Sequence, residues 1–515
     1  MCLYRNDREQ LVIDPGAISI SGRNKKGKRY HFDKGKFIKK KVYLGELRTD
    51  EAGRLIFLGG YGDSASAFPN NSPTTFGNND GWHDDTADGP VTATVKLKGS
   101  DDTLEVDPAW VLSAPPNYAP DVISVQTIWD VIFDASQGQF FPQKTVPSFM
   151  NDILPLLQQF SDAQWVNYGF YVNYGYQQPF DFNNKDYIAK LATITTDKDG
   201  VVDDRFREYR RQIFNYFRPP NPTQIDADAW PWMYGDVVSI PATSPQAFLS
   251  VTKTLHTYLS NWKDGNFIQD WDPDFQPPSS IDQVSNPAKQ AHLINKASLW
   301  FCLGGPFHPG CEMTWPVRHS TMYNSAFRFR IRAANDPEPD YGEMLDYETV
   351  MSARGPLYAQ GPGDITRWMA VPWQTDTASC RSGYDSQYDP WVPTFWPARV
   401  PNHVLAEVEY LKVIDESLPM EERIEAFNTR ATWYRLLGPS ASVNQKANMV
   451  NRFGDLGVVE KRPGVPNSDE FPDVMYVESV PGKPRKRKNA KAEIDDIPYS
   501  TGRYVGLTDK VLPLK

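Results

Sequence analysis

The sequence predicts an α+β protein, and three features of its amino-acid pattern predict that class. Residues 1–115 contain short β-rich runs, whereas residues 116–300 carry apolar side chains at helical spacing. Residues 300–400 are nearly free of helical periodicity and dense in Gly, Pro, Trp and Cys, which predicts long irregular, aromatic-rich segments in a third region, 301–460. Residues 461–515 are expected to form an extended arm. At 515 residues the chain is long enough for two or three sub-domains.

The strand-like runs of the N-terminal region are separated by Gly, Asn and Asp, which favour turns. Their aliphatic and β-branched content predicts a β-sandwich-like arrangement of this region. The four runs are Leu11–Ile13, Ala17–Ile20, Arg54–Leu58 and Val91–Leu97.

Helices are predicted where apolar residues recur every three or four positions. Such stripes occupy residues 149–160, 206–217 and 248–262. The third follows Ser244 and a proline, a suitable N-cap and first turn. A serine cap, an early proline and acidic residues predict a further helix over residues 417–437. All of these stripes are interpreted as faces that pack against a core.

Composition excludes several classes of protein. A net charge of −10 argues against a general nucleic-acid binder. The chain contains no apolar run of 18 residues, so no transmembrane helix is predicted. The first residues lack the apolar core of a signal peptide. We therefore expect synthesis in the cytoplasm, with export by a non-standard route left open. Four cysteines are too few and too scattered for a disulfide framework: Cys2, Cys302, Cys311 and Cys380.

Basic residues are concentrated in two runs of the chain. Nine Lys or Arg lie between Lys25 and Lys41, and a second run spans Lys483–Lys488. Solvated surface is the simpler interpretation of both runs, and contact with a polyanion or a membrane is the alternative.

Two patterns mimic binding motifs without the structure that those motifs need. Gly60–Ala65 matches the dinucleotide pattern, but Pro and Asn follow where a phosphate-binding helix should begin, so a Rossmann site is rejected. The acids of Asp197–Asp204 imitate part of a calcium loop but lack its first acid and its closing Glu, which indicates a polar turn. No two histidines have the spacing of metal ligands, so no metal is expected.

Three remaining segments carry chemically useful side chains. The acidic segment Asp80–Pro90 supplies carboxylates for catalysis, or its acids serve turns. Glycines and prolines in Cys302–Arg318 predict a rigid loop around Cys, His, Glu and Arg. Gly363–Cys380 is followed by Trp391 and Trp396. From the residues alone, its cysteine is a buried thiol among core tryptophans, or it forms a redox cofactor with one of them.

Several of these motifs, in the same order, resemble the L-lysine ε-oxidase/glycine oxidase family of quinoproteins over roughly residues 10–440. Members of that family make cysteine tryptophylquinone within the chain from one Cys and one Trp. This chain departs from the family at His83, where an aromatic such as tyrosine is expected, and it is shorter. The matching motifs are Arg54–Gly62 with Ser64 and Ser66, Asn79–Asp85, Asp88–Val91, Gly304–Gly310 and Asp364–Cys380.

The resemblance makes residues 301–460 the cofactor-bearing core region and implies roles for individual residues. Cys380 matches the cross-linked cysteine, and Trp396 is preferred to Trp391 as the tryptophan that becomes the quinone. Asp376 matches the nearby carboxylate and would act as a general base. No dissociable cofactor is then expected. The residues predicted for the surrounding pocket are His308, Cys311, Trp315, Arg318, Trp373 and Trp391.

The activity that the resemblance implies is oxidative deamination of a primary amine of an amino acid, of the lysine ε-amine or glycine type. Oxygen would be reduced to hydrogen peroxide and ammonia released. A flavoprotein that completes the quinone is the implied partner, and a homodimer or homotetramer is expected. Arg318 or Arg367 would bind a substrate carboxylate, or each is a structural ion pair. The alternatives are a family member that binds without catalysis and a flavin oxidase with an unrecognised site.

Overall fold

The computed structural model describes residues 8–142, 144–235, 237–239, 241–300, 311–342, 344–379, 393–437 and 445–479, without the side chains of residues 311 and 312. These residues form small sheets and short helices joined by long irregular segments. Strands dominate the N-terminal part and helices the middle. The predicted α+β class is therefore confirmed.

The N-terminal strands pair as four separate two-stranded antiparallel sheets, each joining two strands that are consecutive in the chain. The predicted β-sandwich is therefore wrong for the described residues, because no larger sheet forms there. The strands are β1 (Lys36–Phe37), β2 (Lys40–Lys41), β3 (Gly45–Thr49), β4 (Leu55–Gly59), β5 (Ala65–Ser66), β6 (Trp82–His83), β7 (Ala87–Lys96) and β8 (Thr103–Ser113).

Two of the four predicted strand runs are strands, since β4 and β7 contain most of them. Leu11–Ile13 and Ala17–Ile20 form no strand. Leu11 ends a 3-10 turn, and with Ile13 it packs its side chain against the core cluster of Phe37, Val42 and Leu44. Leu11 and Ile13 are thus partly buried without strand pairing, while Val12 is exposed.

The middle of the chain is mainly helical, and polar side chains cap most of its helices. Thr127 and Asp130 form a reciprocal capping box at the start of the first helix. The predicted stripes at 149–160 and 206–217 are confirmed by the second and fifth helices. The elements are α1 (Ile128–Ser136), α2 (Leu154–Asp162), α3 (Tyr168–Tyr174), α4 (Lys185–Ala192), β9 (Thr195–Thr196), β10 (Val202–Asp203), α5 (Arg207–Tyr216), α6 (Lys253–Lys263) and α7 (Pro287–Trp300).

The helix predicted to follow Ser244 begins later. Ser244 caps a single 3-10 turn, after which Phe248 forms an antiparallel bridge with Tyr234. The N–H of Leu249 donates to Met233 O at 2.9 Å. Because this pairing needs an extended backbone, α6 starts only at Lys253.

The remaining elements build the C-terminal half of the described chain. They are α8 (Cys311–Val317), β11 (Tyr323–Ser325), β12 (Arg328–Phe329), α9 (Tyr347–Met351), α10 (Trp373–Ser379), β13 (His403–Ala406), α11 (Glu407–Ile414), α12 (Met420–Asn428), β14 (Ala431–Thr432), α13 (Gln445–Arg452), β15 (Val458–Pro463) and β16 (Val474–Ser479).

One four-stranded sheet, in the order β14-β13-β16-β15, orders the C-terminal part. Strands β13 and β16 run parallel, and the other two pairs are antiparallel. The helix predicted over 417–437 is wrong in its length, since α12 covers only Met420–Asn428. It ends there because Ala431 and Thr432 pair with Val404 and His403 of β13.

The chain divides into two compact units, each made of discontinuous segments. The first contains Met1–Pro116, His308–Ser379 and Lys446–Asn451, and the second contains the rest. The four regions that were defined from the sequence, 1–115, 116–300, 301–460 and 461–515, stay a prediction. The second unit is centred on aromatic rings, among them Trp230 against Tyr174 with ring centroids 4.8 Å apart. Within the described residues, no helix has the length and apolar content needed to cross a membrane.

Candidate active site

A short buried helix, α10, carries the predicted general base. Asp376 has no exposed surface, and Trp373, the first residue of the helix, is 1% exposed. The sequence placed these residues in an irregular segment, so the helix is a correction to that expectation. The sequence of α10 shows no alternation of an apolar and a polar face. The reason is that nearly every side chain of this helix is buried, whichever way it points.

The N-terminus of α10 is held by Asp84. Asp84 Oδ2 accepts a hydrogen bond from the backbone N–H of Trp373 at 3.1 Å. Asp84 Oδ1 accepts from the Thr86 hydroxyl at 2.7 Å. Burial raises the pKa of Asp84, although these donors oppose the shift. The acidic segment therefore supplies a buried anchor for the helix.

The segment that imitates a dinucleotide motif also holds α10. The amide of Gln374 donates to Gly62 O at 2.8 Å and accepts from the Ser64 hydroxyl at 2.6 Å. In the described structure this segment runs from β4 to β5 without a helix. Gly62 and Ser64 thus recognise one side-chain amide of the buried helix.

Asn79 closes the other side of the helix start. Its backbone N–H and its side-chain amide donate to Val371 O, at 2.9 and 3.1 Å. The amide also approaches the Thr375 hydroxyl oxygen at 3.4 Å. These contacts fix the turn that precedes α10.

Asp85 lies beneath the same glycine-rich segment. Its Oδ2 accepts from the backbone N–H of Asp63 at 2.9 Å. A Cβ atom added at Gly60 would lie 2.3 Å from Asp85 Oδ2, so only glycine fits this approach. Burial raises the pKa of Asp85 to about 7, and the neighbouring Asp84 and Asp63 add to the rise.

Asp88 ties the beginning of the Asp364–Cys380 motif to the N-terminal strands. Its Oδ1 accepts from the N–H and the hydroxyl of Thr366, at 2.7 and 2.6 Å. Its Oδ2 accepts from Trp110 Nε1 at 3.0 Å and from Ile365 N at 3.2 Å. A buried carboxylate with four donors is a structural joint, which is the alternative to catalysis for this acid.

His83, the residue that departs from the family, is buried near an aromatic ring and near the charges of Lys40 and Asp63. Its ring contacts the ring of Phe37, with centroids 5.3 Å apart. Neither ring nitrogen has a hydrogen-bond partner among the described residues, and burial lowers the pKa of His83. A neutral imidazole therefore occupies the place of the expected aromatic.

The predicted pocket residues on α8 lie in the same unit as α10. Trp315 is 43% exposed and contacts Trp368, with ring centroids 5.7 Å apart. Arg318 Nε donates to Thr314 O at 3.4 Å, just beyond the end of the helix. Cys311 is the first residue of α8. Trp315 is thus a surface aromatic, not a buried wall.

Arg367 is committed to carboxylates of its own chain. It pairs with Glu338 and lies 3.3 Å from Asp364 Oδ1. Arg332 approaches the other oxygen of Asp364 at 2.9 Å. Of the two interpretations of Arg367, the structural ion pair is the one that these contacts favour.

Trp396 is buried in the second unit, at 3% exposure. Its carbonyl accepts from Arg399 N and Val400 N, both at 3.1 Å. Phe395 contacts its ring with centroids 5.2 Å apart, and Phe395 in turn contacts Tyr234. Trp396 therefore begins a tight turn, and these hydrogen bonds fix the backbone that carries its indole.

Two family models match: the L-lysine ε-oxidase N-terminal model over residues 2–113 and the L-lysine ε-oxidase C-terminal domain model over residues 234–396. Together they cover more than half of the chain. The chain belongs to the L-lysine ε-oxidase family. The predicted family is thereby confirmed.

A curated relative in this family is L-lysine 6-oxidase of Marinomonas mediterranea, 27% identical over 423 residues. The match covers 73% of this chain but 53% of the relative, so the chain spans about half the length of that protein.

Solved structures of the L-lysine ε-oxidase from Marinomonas mediterranea have the same fold. The structure of its Schiff base intermediate with L-Lys superposes with a TM-score of 0.59 at 22% identity, covering 87% of this chain and 69% of that one. A second structure of that enzyme gives 0.57 at 22% identity, covering 89% and 70%. These matches show that the chain has the fold of the L-lysine ε-oxidase structures.

Three of the predicted site residues lie outside the described residues, namely Cys380, His308 and Trp391, and so does the side chain of Cys311. The structure brings Asp376, Trp373, Trp315 and Arg318 into one unit and leaves Trp396 in the other. Sequence reasoning missed Gln374 as the residue that locks α10. A glutamine flanked by Trp and Thr in an apolar stretch was the available signal, because such a side chain needs partners when buried.

Proposed function

We propose that this chain oxidatively deaminates a primary amine of an amino acid, with a cysteine tryptophylquinone formed from Cys380 and Trp396. The observation that carries this proposal is the complete burial of Asp376 on α10, which ends one residue before Cys380. Oxygen would accept the electrons, and hydrogen peroxide and ammonia would leave. The family and the name of the curated relative support an amine as the substrate.

The residues of this chain suit such a cofactor. A quinone built from a side chain needs a tryptophan that cannot move, and Trp396 is buried with its carbonyl held by two N–H donors. The quinone supplies an electrophilic carbonyl and accepts two electrons, which no ordinary side chain does. Asp376 is four residues before Cys380, so the chain keeps their Cα atoms within roughly 14 Å.

Asp376 would act as the general base. Its carboxylate would take the proton from the carbon that bears the substrate amine, and it would later return that proton to water. The buried setting excludes bulk water from this proton, and α10 fixes the direction of the carboxylate. The same group would help to remove protons from the cysteine or the indole while the thioether forms.

The residues that hold α10 would determine how accurately the Asp376 carboxylate is positioned. Asp84 and Gln374 hold the first turn of the helix by backbone and side-chain contacts. A displacement of about 1 Å in a catalytic group is enough to slow a reaction strongly. These two residues would therefore be positioning residues for the reaction.

Maturation would require a second protein. The resemblance implies a flavoprotein that completes the quinone, so the chain expressed alone should remain unmodified. The substrate would be the ε-amine of lysine or the α-amine of glycine, and both belong in the first assay.

Peptide mass spectrometry of residues 368–399 tests the proposal after coexpression with the flavoprotein. We expect Cys380 and Trp396 in one cross-linked species that has gained two oxygens and lost four hydrogens in all. Hydrogen peroxide should then form with an amino acid. An unmodified chain under these conditions would refute the proposal in favour of a non-catalytic member, and a flavin spectrum in the purified chain would indicate a flavin oxidase instead.

A further inference from the structure

Exposed apolar side chains lie on both helices of the pair α11 and α12 in the second unit. Val408 and Leu411 on α11 are 60% and 54% exposed, and Ile414 continues the same face. Met420 and Ile424, one turn apart on α12, are also exposed. Each helix thus carries one exposed apolar stripe, and the two stripes together are called the exposed face. Exposed apolar surface of this kind often contacts another segment.

Acidic side chains surround this face. The turn between the helices contributes Asp415 and Glu416, and α12 contributes Glu421, Glu422 and Glu425, all exposed. The charge of Lys412 is opposed by Glu409, at 3.0 Å. Arg423 points inward and donates to Val413 O at 2.8 Å. The surface formed by α11 and α12 is therefore apolar and strongly negative.

The groove between the two helices has room for a segment of chain. Its volume is about 630 Å³, and Lys412, Pro419 and Glu422 are among the residues that line it. Glu422 and Glu425 also act on the ammonium of Lys412 and, with the larger effect of Glu409, raise its pKa. The acids of α12 thus face the groove, and Lys412 is the cation among the residues that line it.

Strand β16 ends beside helix α11. β16 runs parallel to β13, with Glu478 opposite Ala406, and α11 begins at the next residue, Glu407. Helix α11 also packs against β16. Ser479, the last residue of β16, therefore lies beside the first turn of α11.

The sequence after Ser479 has the complementary chemistry. Val480–Gly482 can span at most about 10 Å before the run Lys483–Lys488 begins. Eight residues of helix measure roughly 12 Å, so the run is long enough to reach the far end of α11, where the helix dipole and the acids both favour cations. Ile494, Ile497 and Tyr499 follow as apolar residues for the exposed face.

We propose that residues 480–499 of this chain dock on the surface formed by α11 and α12, with the run Lys483–Lys488 against its acids. The occupant is a segment of the same chain, and the contact is independent of the redox chemistry. Residues 480–499 lie outside the described residues, and the proposal rests on the described surface, the exit of β16 and the sequence.

Amide hydrogen exchange of the full chain tests this docking. Neutralising the run by Lys483→Gln, Arg485→Gln, Lys486→Gln, Arg487→Gln and Lys488→Gln should speed exchange in α11 and α12 several-fold. The matched control neutralises five exposed lysines of the first unit, Lys28, Lys34, Lys36, Lys39 and Lys41, and should leave both helices unchanged. Unchanged exchange in the first variant would overturn the proposal.

Charge exchange provides a second test. The triple reversal Glu421→Lys, Glu422→Lys and Glu425→Lys should also speed exchange, and reversing the basic run to Glu in the same chain should restore protection. Carbodiimide cross-links between Lys483 or Lys486 and Glu422 should form within one chain. Cross-links found only between two chains, with protection that rises with protein concentration, would overturn the proposal in favour of a second copy.

Discussion

The backbone N–H of Trp373 donates to the carboxylate of Asp84 at 3.1 Å, across 289 positions of sequence. Both residues are buried, and they join the acidic motif near the N-terminus to the helix that carries Asp376. The acidic segment had two interpretations, catalysis and turn formation. Its contacts give it a third role, which is to fix a buried helix.

Asp84→Ala should destabilise the first unit and misplace α10. The Trp373 N–H would lose its acceptor inside the protein, a cost of about 2–3 kcal/mol. Denaturant unfolding measures this loss, and the yield of cross-linked peptide measures the placement of Asp376. Asp84→Asn keeps one acceptor oxygen, so its free energy of unfolding should lie between those of Asp84→Ala and the parent. Equal stability of Asp84→Ala and the parent would contradict this role.

Gly60→Ala should destabilise the chain by about 2 kcal/mol or more, because the new methyl group would overlap the Asp85 carboxylate. Gly77→Ala is a matched control in the same unit, since no atom lies within 4 Å of its added Cβ. Thermal unfolding of the two variants side by side measures the difference. Similar melting temperatures would show that the Gly60–Asp85 contact relaxes freely.

Asp85 should make stability depend on pH between about 4 and 7. Its folded pKa of about 7 lies above the ordinary 3.8, so the folded state holds the proton more tightly than the unfolded state. The free energy of unfolding therefore falls as pH rises through this range. Asp85→Asn cannot ionise and should gain on the parent by up to about 4 kcal/mol between pH 4 and pH 8.

Denaturant unfolding at several pH values measures that difference. Asp80→Asn changes an exposed acid of the same segment and should run parallel to the parent. A parallel course for Asp85→Asn would show that Asp85 is ionised in the folded protein at neutral pH.

Trp396→Phe should prevent quinone formation, because phenylalanine has no indole to oxidise. The variant should form neither the cross-linked peptide nor hydrogen peroxide, whereas Trp391→Phe should form both. Phe fills most of the buried volume, so a loss of about 1–3 kcal/mol is expected without unfolding. Full activity in Trp396→Phe, with none in Trp391→Phe, would transfer the assignment to Trp391.

Asp376→Asn should abolish peroxide formation while preserving the shape of α10, since the amide is nearly isosteric with the carboxylate. Intact mass separates its two proposed roles. A chain with the complete quinone but no turnover would limit Asp376 to the reaction, and an incomplete quinone would place it in maturation. Normal turnover would remove it from both.

The fold class and two helices could be predicted because their patterns are local. In the stripes at 149–160 and 206–217 the large apolar residues recur at helical spacing between polar ones, so both helices are visible in sequence. The helix after Ser244 starts late because Phe248 pairs with Tyr234, a partner that no local pattern reveals. The helix before 437 ends early because Ala431 pairs with Val404.

The site was predictable in its motifs and not in its contacts. The motifs around Asp85, Gly62 and Asp376 could be recognised separately, and the structure joins them around α10. The setting of Gln374 indicates a buried amide that needs partners, but Gly62 and Ser64 lie more than 300 positions away, so the sequence does not identify them. The exact fit at Gly60 depends on the position of Asp85 and is visible only in three dimensions.

The discontinuous first unit places its two main segments about 190 residues apart in the order of synthesis. At about 5–20 residues per second, a ribosome needs roughly 10–40 s to add the intervening chain. During that time Asp84, Gly62 and Asn79 have already emerged, while the helix that they enclose does not yet exist. A modifying enzyme that requires α10 in place can therefore act only after synthesis has passed residue 379.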